Sequence, residues 1–581
     1  MNNKLLILFL LVIFLVSGVF VGCGNNDVVE ESVNVVTKEN ELNDDEPIED
    51  KEKIKDEILD AEINPALRRG NILTIAQSGI DGVFNPILYY NDSDSKIVDL
   101  VFNGLIKIND NGEYVPDVAM WDVSEDKLTY TFSITPGIKF HNGEELTAAD
   151  VAFTYYAIAD PDYDGPRGAI VQDIVGVREY RIGEAKSIEG IKIINDYSIS
   201  FTIKEPNVKK VADFSFGILN KEYYEYNSIE ELKSKNTVPM GTGPMKFELF
   251  EVGQYVELST YDDYYEGRAY IDGVIYKVIP DESVAAAINA GEVDVARATS
   301  NLDNYDTMTE AGIAEVQEYL GNSYRYIGFN LRLDKFSDKR VRQALWYGLN
   351  VKDFVDAQWQ GFAAPCLGPI SPVSWAYPDT SELTVYDYNP EKASKLLKEA
   401  GWEDTDDDGI LDKDGEKFTI VWTSYTDFDW STNLLSVAKD NWGALGIEVE
   451  ANLMEFTAVS DLVYFKQNFE VYNMSWSLST DPDPTEIFGE EADVSGGYNA
   501  MGYYNERANE IFRLGRKEYD QAIRASLYQE WMTIANDEVP YIFISIGTVI
   551  NGVNNRVHNL ELDTYDNISS QILYIELDYL H

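Results

Sequence analysis

"YVPDVAMWDVSEDKLTYTFSITPGIKFHNGEELTAADVAFTY", Tyr114 to Tyr155, carries two periodicities in one stretch. From Leu128 to Ile134 apolar and polar residues alternate, the pattern of a strand with one buried face. The same alternation returns at Tyr197 to Ile203. Lys139-Phe140-His141-Asn142-Gly143 reads as a turn, and Thr147-Ala-Ala-Asp150 fits a capping box that opens a helix. Further on, Asn389-Pro390 opens and Gly401 closes a helix whose buried stripe is Ala393, Leu396, Leu397 and Ala400. Short strands and capped helices mixed in this way from Gly70 onward predict an α/β body.

Before Gly70 the texture differs. Residues 24–62 hold 15 Asp or Glu against four Lys, a composition that cannot bury enough apolar surface to order itself. Upstream, Met1 to Lys4 precede an apolar run from Leu5 to Val21, which resembles a secretory signal. Its ending, Val21-Gly22-Cys23, resembles the bacterial lipoprotein cleavage box, whose cysteine is acylated and becomes the new N-terminus. The expected order is a signal over 1–22, lipidation at Cys23 and a disordered acidic tether over 23–69. Each buried CH₂ of an acyl chain contributes about 0.8 kcal/mol, so several chains hold a soluble body at a membrane surface. Cys366, the only other cysteine, is then without a disulfide partner.

The chain has 46 basic and 101 acidic residues, a net charge of −55, which argues against nucleic acid and anionic lipid as partners. With 38 Tyr, 25 Phe and 10 Trp it can build several cores. Its three histidines, His141, His558 and His581, form no His-Glu-x-x-His pair, and there is no Gly-x-Ser-x-Gly elbow or phosphate loop. Gly241-Thr-Gly243-Pro244 lacks the remaining residues of a nucleotide loop and reads as a turn. No catalytic residue and no cofactor is expected. "DTDDDGILDKDGE", Asp404 to Glu416, spaces Asp404, Asp406, Asp408 and Asp412 as in a calcium loop, but Gly415 stands at the twelfth position where Glu is required. The competing reading is a turn between a helix and a β-hairpin.

The Tyr114–Tyr155 stretch, with Gly241–Ala296, "YIGFNLRLDKFSDKRVRQAL" from Tyr326, "GPISPVSWAY" from Gly368, "YDYNPEKASKLLKEAGW" from Tyr386 and "GGYNAMGYYN" from Gly496, resembles extracellular solute-binding protein family 5 in the family's own order. That resemblance implies a two-lobed, periplasmic-binding-protein-like α/β fold (type II, cluster C) with an inserted extra domain. The lobes map to 70–107, 236–322 and 548–581 for the first and 323–547 for the second, with the insertion at 108–235. It implies a monomeric, lipid-anchored receptor outside the cytoplasmic membrane, handing an oligopeptide to an ABC permease and its ATPases. Nickel, haem, oligosaccharide and opine ligands also occur in the family, a sensory receptor uses the same shell, and a surface hydrolase is the reading from another class.

"YNMSWSLSTDPDPTEIF", Tyr472 to Phe488, resembles the family's ligand-binding strand. By that resemblance Ser475, Trp476 and Ser477 offer backbone groups to an extended peptide, with Trp476 stacking over it and Trp375 among the ligand contacts. Peptide-binding relatives carry an acidic residue three positions after the Trp to hold the ligand's α-ammonium, where this chain has Ser479. Asp481 and Asp483 are the nearest carboxylates that could replace it; the alternative is that Asp481 caps the next helix.

Overall fold

The computed structural model describes residues 64–565 and 567–580. The expected signal, Cys23 and the tether up to residue 63 lie outside the described residues. Residues 64–69, expected in the tether, belong instead to the folded body. A 3₁₀ turn over Pro65–Arg69 is capped by Asn64, which also donates to the Asn554 side chain (2.8 Å), and Arg69 pairs with the buried Asp294. Composition alone misses this, because the partners lie far along the chain.

Two sheets share one long strand. In the first, the order is Met245–Glu251, Tyr255–Thr260, Gly273–Val278, Ile72–Gln77, Val295–Ala298 and then the second half of Tyr541–Asn554, with Ala314–Leu320 also on Tyr541–Asn554. Ile72–Gln77 runs parallel to both its neighbours. In the second sheet the order is Glu448–Met454, Thr419–Tyr425, Val471–Ser477, Ser323–Phe329 and the first half of Tyr541–Asn554. Tyr541 to Ser545 pair with Ser323–Phe329, while Thr548 to Asn554 pair with Ala314–Leu320. The long strand and the Ala314–Phe329 segment therefore both pass from one lobe to the other. They touch at the crossing, where the Gly321 N–H donates to the Gly547 carbonyl (2.9 Å).

The quoted stretch supplies two strands of a separate four-stranded antiparallel sheet, ordered Ala119–Val123, Thr129–Ile134, Ser198–Thr202, Ile191–Asn195. Its two alternating runs pair with each other, Phe132 opposite Ile199 and Tyr130 opposite Phe201, and bury Tyr130, Phe132 and Ile134 on one face. The helix Ala148–Ile158 starts at the expected capping box, with Thr147 and Asp150 satisfying each other's backbone donors. Pro390–Glu399 is capped by Asn389, and Gly401 follows at φ 90°.

Two quoted motifs meet in space. The His141 N–H donates to the Gly241 carbonyl and its Nε2–H to the Gly243 carbonyl, both at 2.9 Å. Gly243 in turn donates to Val101 at the end of the helix Asp92–Val101 (2.8 Å). A Cβ on Gly241 or Gly243 would fall 2.2 Å from the Val101 carbonyl oxygen or 2.4 Å from that of Leu100, so this turn needs glycine for close backbone approach.

Candidate functional site

The strand Val471–Ser477 is bonded along its whole length to Ser323–Phe329 on one side. On its other side Thr419–Tyr425 pairs only with Val471 and Tyr472. Beyond that point the outer edge has no strand beside it. Antiparallel ladders alternate between bonded and non-bonded residue pairs, and the bonds Leu478 N–H to Asn322 C=O (2.8 Å) and Asn330 N–H to Glu470 C=O (2.9 Å) fix the phase. Trp476 opposite Tyr324 is thus a bonded pair, whereas Ser475 and Ser477 aim their backbone groups at the vacant edge. This corrects one expectation: the backbone groups of Trp476 face Tyr324 and not the vacant edge.

Buried polar bonds hold the strand rigid up to that edge. Asn473 accepts from Trp422 Nε1 (2.9 Å) and Ser424 Oγ (2.8 Å) and donates to Ser431 Oγ (2.8 Å), tying it to the next strand and to the helix Asp429–Gly443. The Trp476 ring lies parallel to Tyr326 (centroids 6.2 Å apart, 5° between planes) and meets Tyr498 edge-on at 5.1 Å. It is half-buried, with Ser475 and Ser477 exposed on the opposite face.

Three cavities converge on the loop that follows. One of about 280 Å³ is lined by Asn322, Tyr324, Ser371, Trp476, Ser477 and Ser479, together with Asp481 and Asp483. A second, of about 350 Å³, lies between the four-stranded sheet and the second lobe, with Trp121, Tyr130, Trp375, Asp481 and Arg524 in its wall. The third, about 710 Å³, reaches from Thr480 into the first lobe. Small-molecule sites span about 300–1,000 Å³. The Tyr324 hydroxyl, Trp476 Nε1 and Asn322 Oδ1, all on the first cavity, are buried without a hydrogen-bond partner. Buried polar groups are ordinarily satisfied, and these three are not.

Both candidate ammonium anchors are already engaged. Asp481 accepts two bonds from Arg524 (Nη1 2.8 Å, Nη2 2.9 Å) in a pair whose side chains are only 6 % and 12 % exposed. Asp483, its side chain fully buried, accepts from the Thr485 N–H (3.0 Å) and hydroxyl just before the short helix Thr485–Phe488, and lies 3.3 Å from Arg516 and 3.7 Å from Lys209. The cap position weighed for Asp481 is held by Pro484, without a side-chain cap bond. Both carboxylates already have their charge balanced by these cations. Ser479 closes the turn, its hydroxyl donating to the Asp481 carbonyl (2.6 Å). Trp375 packs beneath Arg524, whose guanidinium carbon is 5.3 Å from the ring centre.

The acidic loop at 404–416 leads into a hairpin of Asp412–Lys413 with Glu416–Lys417. Asp404, Asp406 and Asp412 bring oxygens within 4.8 Å of one another, but the Lys417 ammonium sits among them, 2.6 Å from Asp406 and 2.9 Å from Asp408. A lysine thereby supplies the positive charge that a calcium ion would bring. Cys366 is buried, and burial pushes its thiol up to about 12.

Arg524, Tyr324, Asn322 and Tyr498 were not foreseen as site residues. Tyr498 lies inside a recognised motif, whereas Arg524 sits mid-helix in Gln521–Glu538 without a local signal.

Residues 113–490 match the model of bacterial extracellular solute-binding proteins, family 5. The oligopeptide-binding protein AppA of Bacillus subtilis is 32% identical over 486 residues, covering 82% of this chain and 86% of its own. The dipeptide-binding protein of Escherichia coli is 25% identical over 519 residues, 84% of this chain and 92% of its own. The structure of B. subtilis AppA in complex with a nonapeptide superposes with a TM-score of 0.67 at 29% identity, covering 88% of this chain and 99% of that one. The chain belongs to the family 5 bacterial extracellular solute-binding proteins.

Proposed function

We propose that the protein is the lipid-anchored, peptide-capturing component of an ABC importer. An extended peptide lies along the outer edge of Val471–Ser477, pairing its backbone with Ser475 and Ser477, with Trp476 beneath it and its side chains in the cavities. Main-chain pairing recognises what all peptides share, so one site accepts many sequences. The observation that carries this is the vacant edge: two successive outward-facing residues with no neighbouring strand, next to a cavity with three unsatisfied polar groups. The similarity to the oligopeptide-binding AppA supports the same ligand class. Closure of the lobes around the Gly321–Gly547 crossing would then bury the peptide, and Cys23, acylated, would keep the receptor near its permease.

Purification from the native host, followed by mass spectrometry of what is released on denaturation, tests the ligand class. A set of short peptides is expected; a metal complex, a sugar or an opine as the released species would overturn the reading.

A further inference from the structure

Arg325 lies on the strand Ser323–Phe329, directly opposite Ser475 of the ligand strand. In the ladder phase given above this is a non-bonded pair, the closer of the two kinds, and opposite residues of a ladder carry their side chains on one face. Arg325 therefore shares the exposed face of Ser475, at a rung where the outer edge is already vacant. It also sits at the passage between the lobes. A Cβ on Gly547, which accepts from Gly321 at the crossing, would fall 3.3 Å from Arg325 Nη1 and 3.4 Å from Nη2.

The guanidinium is held in place without a counter-ion. Its carbon lies 4.4 Å over the Trp359 ring and 6.0 Å from that of Trp430, two half-buried tryptophans on the helices Val351–Trp359 and Asp429–Gly443. Its five N–H donors share one long hydrogen bond, from Nη1 to Ser545 Oγ at 3.4 Å. Among the described residues no carboxylate comes within ion-pair distance of it, and the one side chain whose charge bears on it is Tyr425. Two other enclosed arginines, Arg524 and Arg556, each grip a carboxylate through two bonds, those of Asp481 and Asp294. In a chain with 101 acidic residues, Arg325 is left without one.

The surroundings suit a ligand. Tyr425 meets Trp430, Phe428 and Phe456 edge-on, and Phe428 and Phe456 are exposed. Tyr425 ends the strand Thr419–Tyr425, which runs parallel to Glu448–Met454, and parallel α/β sheets bind ligands at the carboxyl ends of their strands. A guanidinium stacked on a ring keeps its in-plane fork of N–H groups free, and that fork matches a carboxylate.

Resting on the peptide reading above, we infer that Arg325 is the anchor for a carboxylate of the ligand, with Trp359, Trp430 and Phe428 covering the apolar part of the residue that bears it. The carboxylate is either the peptide's C-terminus or an aspartate or glutamate side chain. Both present the same two acceptor oxygens.

The test is isothermal titration of the wild-type protein, Arg325→Gln and Arg325→Met with three mixed-sequence pools of peptides of one length: amidated C-termini without Asp or Glu, free C-termini without Asp or Glu, and amidated C-termini with one Asp or Glu. Physiological ionic strength screens exposed charges more than about 8 Å apart, so the comparison reads a local contact. The wild type is expected to bind a carboxylate-bearing pool at least tenfold more tightly than the amidated, acid-free pool, about the size of one charge-assisted hydrogen bond. The preferred pool identifies the source of the carboxylate. Arg325→Gln is expected to erase the preference; Arg325→Met, which keeps an apolar stem against Trp359, is expected to do the same and serves if Arg325→Gln melts below the wild type. No preference in the wild type, or a preference that survives both substitutions, overturns the anchor and leaves peptide binding standing. Failure of every pool to bind overturns the peptide reading itself.

Discussion

Arg524 grips Asp481 through two parallel bonds of 2.8 and 2.9 Å, and Asp481 lies in the wall of two of the cavities. Bidentate arginine–carboxylate geometry combines charge with fixed orientation, and both side chains are largely shielded from water. Asp481 is therefore a structural strut.

Asp481→Ala leaves the Arg524 guanidinium shielded and unpaired. Loss of one partner of such a pair costs about 3 kcal/mol. Urea unfolding should show a fall of that order, with the preference for free-amine over acetylated peptides unchanged. A lost preference at unchanged stability would assign the ammonium to Asp481.

The ladder phase separates neighbouring positions. Proline removes a backbone donor, and at Ser475 that donor points to the vacant edge, so Ser475→Pro should fold and bind peptide roughly tenfold more weakly, the equivalent of one hydrogen bond of about 1.4 kcal/mol. Trp476→Pro removes a donor bonded to Tyr324 and should unfold the second lobe. Circular dichroism melts and peptide titrations of the two variants check this; equal behaviour would contradict the assigned phase.

How far the sequence revealed all this depends on the distance over which each feature is decided. The strands at Leu128–Ile134 and Tyr197–Ile203 and the caps at Thr147 and Asn389 rest on residues a few positions apart, and they were legible. The strand with Ser475, Trp476 and Ser477 was legible through its resemblance to relatives. Which of the three faces outward was not, because the phase is set by pairing with Tyr324 and Asn322. Asp481 could not be matched with Arg524 because, among 101 acidic residues, nothing local chooses a partner.

His141 sets a pH dependence of stability. Burial, partly opposed by its bond to Gly243, lowers its pKa from 6.5 to about 4. The unfolded chain takes up this proton near pH 6.5 and the folded protein only near pH 4, so the stabilisation is complete above 6.5 and is lost as pH falls toward 4. The difference amounts to about 3 kcal/mol. His141→Gln keeps a donor for Gly243 and removes the titration. Its unfolding free energy should fall less steeply than that of the wild type across this window; parallel curves would contradict the assignment.

Cys23→Ser tests the anchor. The variant should bind peptides as the wild type does and move from the membrane to the soluble fraction on cell fractionation. Continued membrane retention would contradict lipidation at Cys23.

Amide hydrogen exchange at single-residue resolution, with and without a bound peptide, addresses the vacant edge most directly. Peptide should slow exchange at Ser475 and Ser477 and leave Trp476, already bonded to Tyr324, nearly unchanged. Peptide binding that leaves Ser475 and Ser477 exchanging at their free rates would show that the ligand does not lie along this strand.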